Sequence, residues 1–377
     1  MDFTFTDEQQ AAAEAARGVL AGVVPDAVPS PALTAGAVAD DFDRPLWATL
    51  ADADLLSLVA APEYGGAGLD AIALCLVLRE AAKVLARVPL LEHSAAMAAV
   101  QAHGGAELRS ALLARAGRGE VVLTVAASGR TGHDPAELSV TARQEGQEWV
   151  LDGVQTAVPW AYGADLVVVP AHTDVGRTVL ALVPRPHAGV ALAEQISTTG
   201  ELLGELRLES ARIADRDVID ADGAWEWLRD LLAVGTCALA LGLGERVLRM
   251  TGDYTSKREQ FGYPIATFQA VAVQAADRYI DLRAMEVTLW QAAWRLGTAA
   301  QGTLPVSGDV AVAKIWAAEG VRRVVQTAQH LHGGFGADVD YPLHRYHAWA
   351  KHLELSLGPA SAHEEALGDL LAAHPLA

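Results

Sequence analysis

The sequence is poor in the features that mark secreted, membrane-spanning and nucleic-acid-binding proteins. It has two cysteines in 377 residues, and Cys75 and Cys237 each lie in an apolar run, so no disulfide framework is expected. Basic residues are scarce too: 28 Lys and Arg stand against 47 Asp and Glu, a net charge of −19 that would repel nucleic acid and anionic membranes. The N-terminus is acidic where a signal peptide would be basic, and no run of about 20 residues is free of charged or helix-breaking residues. These absences predict a reduced, cytoplasmic protein that binds neither nucleic acid nor a membrane.

Several catalytic motifs are absent as well. The chain has no GxxxxGK(S/T), HExxH, CxxC or GxSxG motif, which argues against a P-loop enzyme, a zincin and a nucleophile-elbow hydrolase. Gly66-Ala67-Gly68 resembles part of a dinucleotide fingerprint, but it does not lie in a repeating β-α-β pattern. His330 and His332 could be drawn as a metal site with nearby acids. Two residues apart at a helix end they would point in different directions, so we expect no metal.

Apolar residues are abundant, at 51% of the chain, and their pattern changes twice. Up to residue 119 they recur at three- and four-residue spacing, which predicts helices, with starts at Thr6 and Asp70. From 120 to 220, short β-branched runs separated by Gly, Pro and Asp predict an all-β segment. Helical spacing returns after residue 220 and predicts a four-helix bundle. Its helices are expected at roughly 224–256, 266–298, 306–331 and 345–373.

The predicted fold class is α+β, with domains at 1–119, 120–220 and 221–377. The order of helices, then strands, then helices argues against a doubly wound nucleotide-binding fold, which needs strands and helices in alternation.

Two segments at helix breaks could hold a bound group. In Tyr254–Ile265, the cationic Arg258 precedes a break at Gly262. A forked guanidinium suits a phosphate, although a solvated helix C-terminus would favour the same residue. In His332–Gly336, a glycine-rich break lets backbone N–H groups approach a ligand, although a plain turn between helices would look the same. Residue chemistry alone leaves both alternatives open at each segment.

The same two segments resemble signatures of the acyl-CoA dehydrogenase family. YTSKREQFGYPIATFQAV is similar to the family's YxxxRxQFGxPIxxFQ, and QHLHGGFGADVDYPLHRYHAWAK is similar to its QxxGGxG segment. MDFTFTDEQ, PEYGGAGLD and VLDGVQTAVPWAYGADLVVV fit the family in register elsewhere, so the resemblance spans nearly the whole chain. It implies an N-terminal helical domain, a β-barrel-like middle domain and a C-terminal four-helix bundle. The run from His332 to Tyr346 particularly resembles a short, Ala-rich actinobacterial group of the steroid-degradation type.

The resemblance implies an oligomeric flavoprotein that binds FAD between domains and across a subunit contact. By the matched positions, the residues that would meet the FAD of a neighbouring subunit are Arg258, Phe261, Gln269, Gly333 and Gly334. The family's glutamine falls on His330, with Gln329 one place early, and Trp160 would lie against the isoalloxazine ring. The implied reaction is α,β-dehydrogenation of an acyl-CoA substrate, with electrons passed to an electron-transfer flavoprotein.

The family's catalytic glutamate is missing from both of its usual positions. The reaction needs a carboxylate in an apolar site to take the α-proton while hydride leaves the β-carbon for the flavin. In the commoner branch this glutamate would fall on Leu357, and in the other branch on Leu232. The remaining candidates for a displaced base are Asp230, Glu245 and Glu354.

Two explanations of the missing glutamate stay open. The chain could be the base-lacking, FAD-binding or structural member of a hetero-tetramer with a second acyl-CoA dehydrogenase subunit. It could instead be a self-sufficient homo-oligomer with a displaced base, or a flavin oxidoreductase recruited to a non-thioester substrate. A flavin-free scaffold is disfavoured because Arg258, Phe261 and Gln269 survive, whereas loss of FAD should relax these positions.

Overall fold

The computed structural model of the chain describes residues 4–25, 27–129, 139–298, 300 and 302–374. Its N-terminal helices are α1 (Asp7–Leu20), α2 (Arg44–Asp52), α3 (Ala71–Lys83), α4 (Leu90–His103) and α5 (Ala106–Gly117). Thr6 caps α1 in a reciprocal capping box with Gln9. The Asp70 carboxylate accepts a hydrogen bond from the backbone N–H of Ala73 at the start of α3. Both predicted helix starts are confirmed.

The predicted all-β segment forms one mixed sheet. Its strands are β1 (Leu123–Val125), β2 (Val140–Glu145), β3 (Glu148–Val158), β4 (Leu166–Thr173), β5 (Thr178–Pro184), β6 (Val190–Ile196), β7 (Leu202–Ala214) and β8 (Val218–Ile219). They lie in the order β6-β7-β3-β2-β4-β5-β8, with β1 parallel to β4. The pairing of β3 with β7 shifts register between Gln155 and Val158, and Ala157 has a φ of 51° there. This irregularity interrupts the regular pairing of β3 with β7 near the end of β3.

The C-terminal part returns to helices around one short hairpin. The helices are α6 (Ala224–Thr255), α7 (Gln269–Thr298), α8 (Val306–His332), α9 (Leu343–Leu355) and α10 (Ala360–Ala373). The hairpin between α6 and α7 pairs β9 (Glu259–Gln260) with β10 (Tyr263–Pro264).

The single helix expected at 345–373 is wrong, because the chain breaks there into α9 and α10. Leu357 and Gly358 have φ values of 57° and 98°, and Pro359 follows, so a continuous helix is excluded. The buried Lys314 of α8 stabilises the break, since its ammonium donates hydrogen bonds to the carbonyl oxygens at the end of α9 and in the turn. These carbonyls belong to Leu353, Glu354 and Gly358.

Helix α6 lies at the centre of a core shared by the N-terminal and C-terminal helices, packed against α3, α4, α7, α8 and α9. A side chain at Gly242 would collide with the carbonyl oxygen of Arg79, so this glycine lets α6 approach α3 closely. In the part of the chain that the structure describes, only α6 is long and apolar enough to cross a membrane, and 78% of its most apolar window is buried inside the fold. This burial is that of a core helix in a soluble protein. The α+β class is confirmed, whereas the domain bounds themselves stay a prediction.

Candidate functional site

A small cavity lies where the end of β3 meets α3, α4, α6 and α9. Its volume is about 100 Å³. Leu232 of α6 and Leu357 of the turn after α9 both line it. These are the two positions to which the sequence assigned the family's glutamate, so the fold brings both to one cavity. Neither leucine can accept a proton. The lining from the middle segment consists of Val125, Ala127, Ser128, Ala157, Pro159 and Trp160.

The three carboxylates named from the sequence lie elsewhere. Asp230, which is 8% exposed, lines a second cavity between α6, α8 and α10 and accepts a hydrogen bond from Arg229 at 3.3 Å. Burial raises the pKa of Asp230. Asp230 does not line the cavity that holds Leu232, although Leu357 lines both cavities.

Glu245 and Glu354 are held in ion-pair networks. Glu245 lies between α3, α6 and α7, and the cations paired with it are Arg79, Lys83 and Arg283. Glu354 pairs with Lys351 at 2.9 Å and with Arg322 at 4.0 Å. Neither carboxylate lines the cavity. These ion pairs hold both side chains among cations, which is a structural use.

Two other carboxyl groups do line the cavity, Glu92 and Glu201. The indole Nε1–H of Trp160 donates to Glu92 Oε2 at 3.0 Å, and the backbone N–H of Trp160 donates to Glu201 Oε1 at 3.1 Å. Burial raises the pKa of Glu92 to about 7. Burial, reinforced by the nearby Glu92, raises the pKa of Glu201 to about 8, against the opposing effect of Arg87. Trp160 is thus held at its ring and at its backbone by two carboxyl groups of perturbed pKa.

The sequence analysis missed this pair, although Glu92 carries a signal. Glu92 lies in the first turn of α4, where its helical neighbours from Leu90 to Val100 are almost all buried, and a lone acid in an apolar helix is unusual. Glu201 gives no such signal. It lies in the turn before β7, and only the packing of distant segments leaves it 7% exposed.

Trp160 forms the wall between two cavities. The side chains of Trp160 and Glu201 line both the 100 Å³ cavity and a smaller one of about 20 Å³ on the side of Phe42. The indole packs edge-on against Phe42, with ring centroids 6.4 Å apart. Pockets that hold small-molecule ligands measure roughly 300–1,000 Å³. This cavity is therefore smaller than such pockets, and Trp160, expected from the sequence to lie against the isoalloxazine ring, forms part of its lining.

The two signature segments meet on the surface of the chain. Tyr254, at the end of α6, stacks on His332 and Phe335 of the glycine-rich turn, with ring centroids 4.4 and 5.5 Å apart. The β9–β10 hairpin carries Phe261, which is 90% exposed and has a φ of 56°. A solvent-exposed aromatic side chain with this backbone conformation is typical of a contact surface. The predicted cofactor residues that are exposed with it are Arg258, Gln269, Gly333 and Gly334.

Arg258 is positioned to bind an anion from outside the chain. Its backbone is fixed, because its N–H donates to the carbonyl oxygen of Tyr254 at 2.9 Å and its own carbonyl oxygen accepts from the N–H of Ile265 at 2.8 Å. Its guanidinium pairs with no acid in the described ranges, although the chain carries a net charge of −19. A free, forked guanidinium suits the pyrophosphate of FAD. This surface therefore fits the cofactor, in contrast to the cavity.

Gln329 and His330 differ in what they contribute to the turn. The Gln329 side-chain amide donates to the carbonyl oxygen of Gly333 at 2.9 Å and so braces the turn, while His330 is exposed. The ring nitrogens of His332 contact the Ala328 carbonyl oxygen and the Tyr341 hydroxyl. Among the described residues, no group of three or more His, Cys, Asp or Glu is arranged to hold a metal ion.

Comparison with known proteins gives consistent matches over the whole chain. Residues 6–120 match the family model for the acyl-CoA dehydrogenase N-terminal domain, and residues 230–370 match the one for the C-terminal domain. The acyl-CoA dehydrogenase FadE27 of Mycobacterium tuberculosis is 38% identical over 383 residues, with 100% of both chains covered.

Two similar solved structures are complexes, and the name of each gives two proteins. The ChsE4-ChsE5 complex from Mycobacterium tuberculosis contains a chain 36% identical to this one, with a TM-score of 0.89 and 100% of both chains covered. A variant of the Tcur3481-Tcur3483 steroid ACAD gives 36% identity and a TM-score of 0.88, with 97% of this chain and 98% of that chain covered. The family, fold and cofactor predicted from the sequence are confirmed. The chain belongs to the acyl-CoA dehydrogenase family of FAD-dependent oxidoreductases, which act on CH–CH groups.

Proposed function

We propose that this chain is the base-lacking subunit of a hetero-oligomeric acyl-CoA dehydrogenase. It completes the FAD site of a second acyl-CoA dehydrogenase subunit, and that subunit carries the catalytic glutamate. One observation carries the proposal: Leu232 and Leu357 occupy both positions of the family's base, and both line one cavity of about 100 Å³. The names of the two solved assemblies, each with two different proteins, support a paired arrangement.

The exposed signature segments would form this chain's part of the shared FAD site. Arg258 would pair with the pyrophosphate, Phe261 would pack on the cofactor, and the N–H groups of the Gly333–Gly334 turn would approach it closely, because glycine has no side chain in the way. Gln269 begins α7 beside this surface. When bound, FAD supplies the electron sink for the hydride that leaves the substrate. The role of this chain is to hold and orient that group from outside the partner's pocket.

An apolar stripe on α7 supports contact with a second subunit. Val273, Ile280 and Val287 follow each other at intervals of seven residues on one face of the helix, and they are 51, 62 and 64% exposed. Side chains at heptad spacing on a helix suit packing against another helix. The stripe begins close to Gln269, so the same partner can cover the stripe and supply the FAD.

The substrate class and location complete the proposal. We take the substrate to be an acyl-CoA thioester, and the likeness to a steroid ACAD points to side chains of the steroid type. Electrons would leave through an electron-transfer flavoprotein, and the assembly would work in the cytoplasm. The proposed substrate class, electron acceptor and location rest on the likeness to the family and not on any residue of the cavity.

Glu92 and Glu201 support a second candidate, a self-sufficient enzyme with a displaced base. A general base works best with a pKa near the working pH, and the pKa values of these carboxyl groups are about 7 and about 8. Against this role, both carboxyl groups already accept hydrogen bonds from Trp160. Either carboxyl group would have to release Trp160 before it could take a substrate proton.

Anaerobic bleaching of the flavin distinguishes the two candidates. The chain is purified alone and with a co-expressed acyl-CoA dehydrogenase that has the glutamate, FAD content is measured, and a panel of acyl-CoA thioesters with steroid side-chain mimics is added. The proposal expects bleaching by the complex only. Arg258→Met in this chain should lower the FAD content of the complex about tenfold or more, since a charge-assisted pair is lost, whereas Lys257→Met should not.

Bleaching by the chain alone would contradict the proposed function. Glu92→Gln and Glu201→Gln would then show whether either carboxyl group is the base, because the variant that loses bleaching while it keeps its FAD identifies it.

A further inference from the structure

Trp160 adopts a backbone conformation that its side chain disfavours. Its φ is 56°, in the left-handed region where glycine and asparagine are common and bulky residues are rare. A strained residue persists where its surroundings over-determine it. Here the Glu201 carboxyl accepts the backbone N–H, the Glu92 carboxyl accepts the indole N–H, and Phe42 packs against the ring. These three contacts hold the indole in place.

The indole lies where the sheet faces the helices. Pro159 and Val125 line the cavity from the sheet, and Leu232 and Leu357 line it from the helices, with Trp160 as the wall between this cavity and the smaller one. Positions 232 and 357 are those from which the family's glutamate would face substrate beside the flavin. The planar indole of Trp160 lines the same cavity as these two positions.

We propose that the Trp160 indole takes the place of a flavin ring in this chain's own cavity, so that Trp160 makes this subunit contribute to FAD binding only on its partner's side. The inference rests on the proposed function, because a subunit that completes another subunit's FAD site needs none of its own. Glu92 and Glu201 are positioning residues for the indole.

The electrostatics of the pocket agree with this arrangement. Both carboxyl groups have pKa values raised by burial, so each can stay neutral beside the indole without a counter-charge of its own. The Arg87 guanidinium, buried on the other side, donates to the Thr199 carbonyl oxygen at 2.7 Å and lies over the Trp349 ring.

A titration with lumiflavin tests the proposal on the full-length chain. Lumiflavin is the isoalloxazine ring without ribityl and phosphate, so the Arg258 surface has no phosphate to bind. Trp160→Gly removes the indole and also suits the backbone, because glycine adopts a φ of 56° without strain. Quenching of lumiflavin fluorescence should show 1:1 binding to this variant at least about tenfold tighter than to the wild type.

Two matched variants control for cavity creation and for the lost hydrogen bond. Trp149 is another buried tryptophan of the sheet whose indole donates to a carboxylate, that of Asp215 at 2.7 Å. Trp149→Ala should therefore leave lumiflavin binding at the wild-type level. Trp160→Phe keeps a ring in the cavity and removes the indole N–H, and it should also bind no better than the wild type.

Equal lumiflavin binding by wild type and Trp160→Gly would overturn the proposal, and so would a folded Trp160→Gly chain, by circular dichroism, that binds none. Neither result decides the proposed function, which depends on FAD content and bleaching of the complex. Conversely, bleaching of the wild-type chain alone would refute the proposed function while the lumiflavin comparison still measures what Trp160 obstructs.

Discussion

Leu232 of α6 and Leu357 of the turn between α9 and α10 line the same cavity, although 124 residues separate them in the chain. Each belongs to the position at which a different branch of the family places its glutamate. Both positions to which the sequence assigned the glutamate therefore hold leucine and lie at one cavity. The Trp160 indole lines the same cavity.

Restoring one glutamate should not restore the reaction. In Leu357→Glu, we expect no bleaching by acyl-CoA thioesters in the chain alone, because Trp160 still occupies the cavity. The chain should lose about 1–3 kcal/mol of unfolding free energy, since a carboxyl group without a partner is costly among leucines. Urea unfolding followed by circular dichroism measures the loss. Leu357→Met is the control and should cost less than about 1.5 kcal/mol. Bleaching by Leu357→Glu alone would show that the cavity is open to flavin.

A charge in the apolar stripe of α7 should separate the subunits and leave the fold intact. We expect Ile280→Asp to weaken the hetero-complex at least about tenfold, because an unpaired carboxylate would be buried at the contact. Ile280 is 62% exposed in the chain itself, so its thermal unfolding should change little. Analytical ultracentrifugation of the purified complex measures the association. Val175, 70% exposed in a turn of the sheet, provides the control Val175→Asp. An undisturbed complex of Ile280→Asp would place the contact elsewhere.

The stability of the chain should fall as the pH rises from the ordinary glutamate value to about 8. The pKa values of Glu92 and Glu201 in the fold, about 7 and about 8, lie above the ordinary glutamate value. The stability that the protonated groups contribute is therefore present in full below that ordinary value, and it is lost as the pH rises through 7 and 8.

Glu201→Gln tests this pH-dependent loss of unfolding free energy, because it removes the group with the higher pKa. The slope of unfolding free energy between pH 6 and pH 9 should flatten in this variant, whereas Glu63→Gln, on an exposed residue, should keep the wild-type slope. The other ionisable groups that face Glu201 are Glu92, Arg87 and, across the cavity, His352. Burial lowers the pKa of His352 to about 4, so it does not titrate in this range. An unchanged slope in Glu201→Gln would show that this carboxyl group is already ionised at pH 6.

Lys314 should be essential for the turn that carries Leu357. Its ammonium donates to three carbonyl oxygens at the end of α9 and in the turn, and it is fully buried. Lys314→Met keeps most of the volume and removes all three donors, so we expect a loss of roughly 2–4 kcal/mol in unfolding free energy. Lys351→Met, on an exposed lysine of α9, should cost less than about 1 kcal/mol. Equal losses in the two variants would contradict the role of Lys314.

What the sequence by itself determined was carried by local patterns. Apolar spacing and capping residues predicted the order of helices, sheet and helices, with starts at Thr6 and Asp70, and two short signatures identified the family and its cofactor. The same signatures predicted the glutamate positions at Leu232 and Leu357, because a motif fixes a register along the chain.

Only the tertiary structure decided which buried groups meet. Glu92 begins a helix, Trp160 follows β3 and Glu201 precedes β7, and nothing in their spacing relates them. They come together because the fold brings Trp160 within hydrogen-bond distance of both carboxyl groups, and burial then raises the pKa of each. The break at Leu357 also needed the fold, since the buried ammonium that satisfies its carbonyl oxygens comes from another helix. Local patterns specify elements, whereas desolvation and contact between distant segments specify what a cavity can hold.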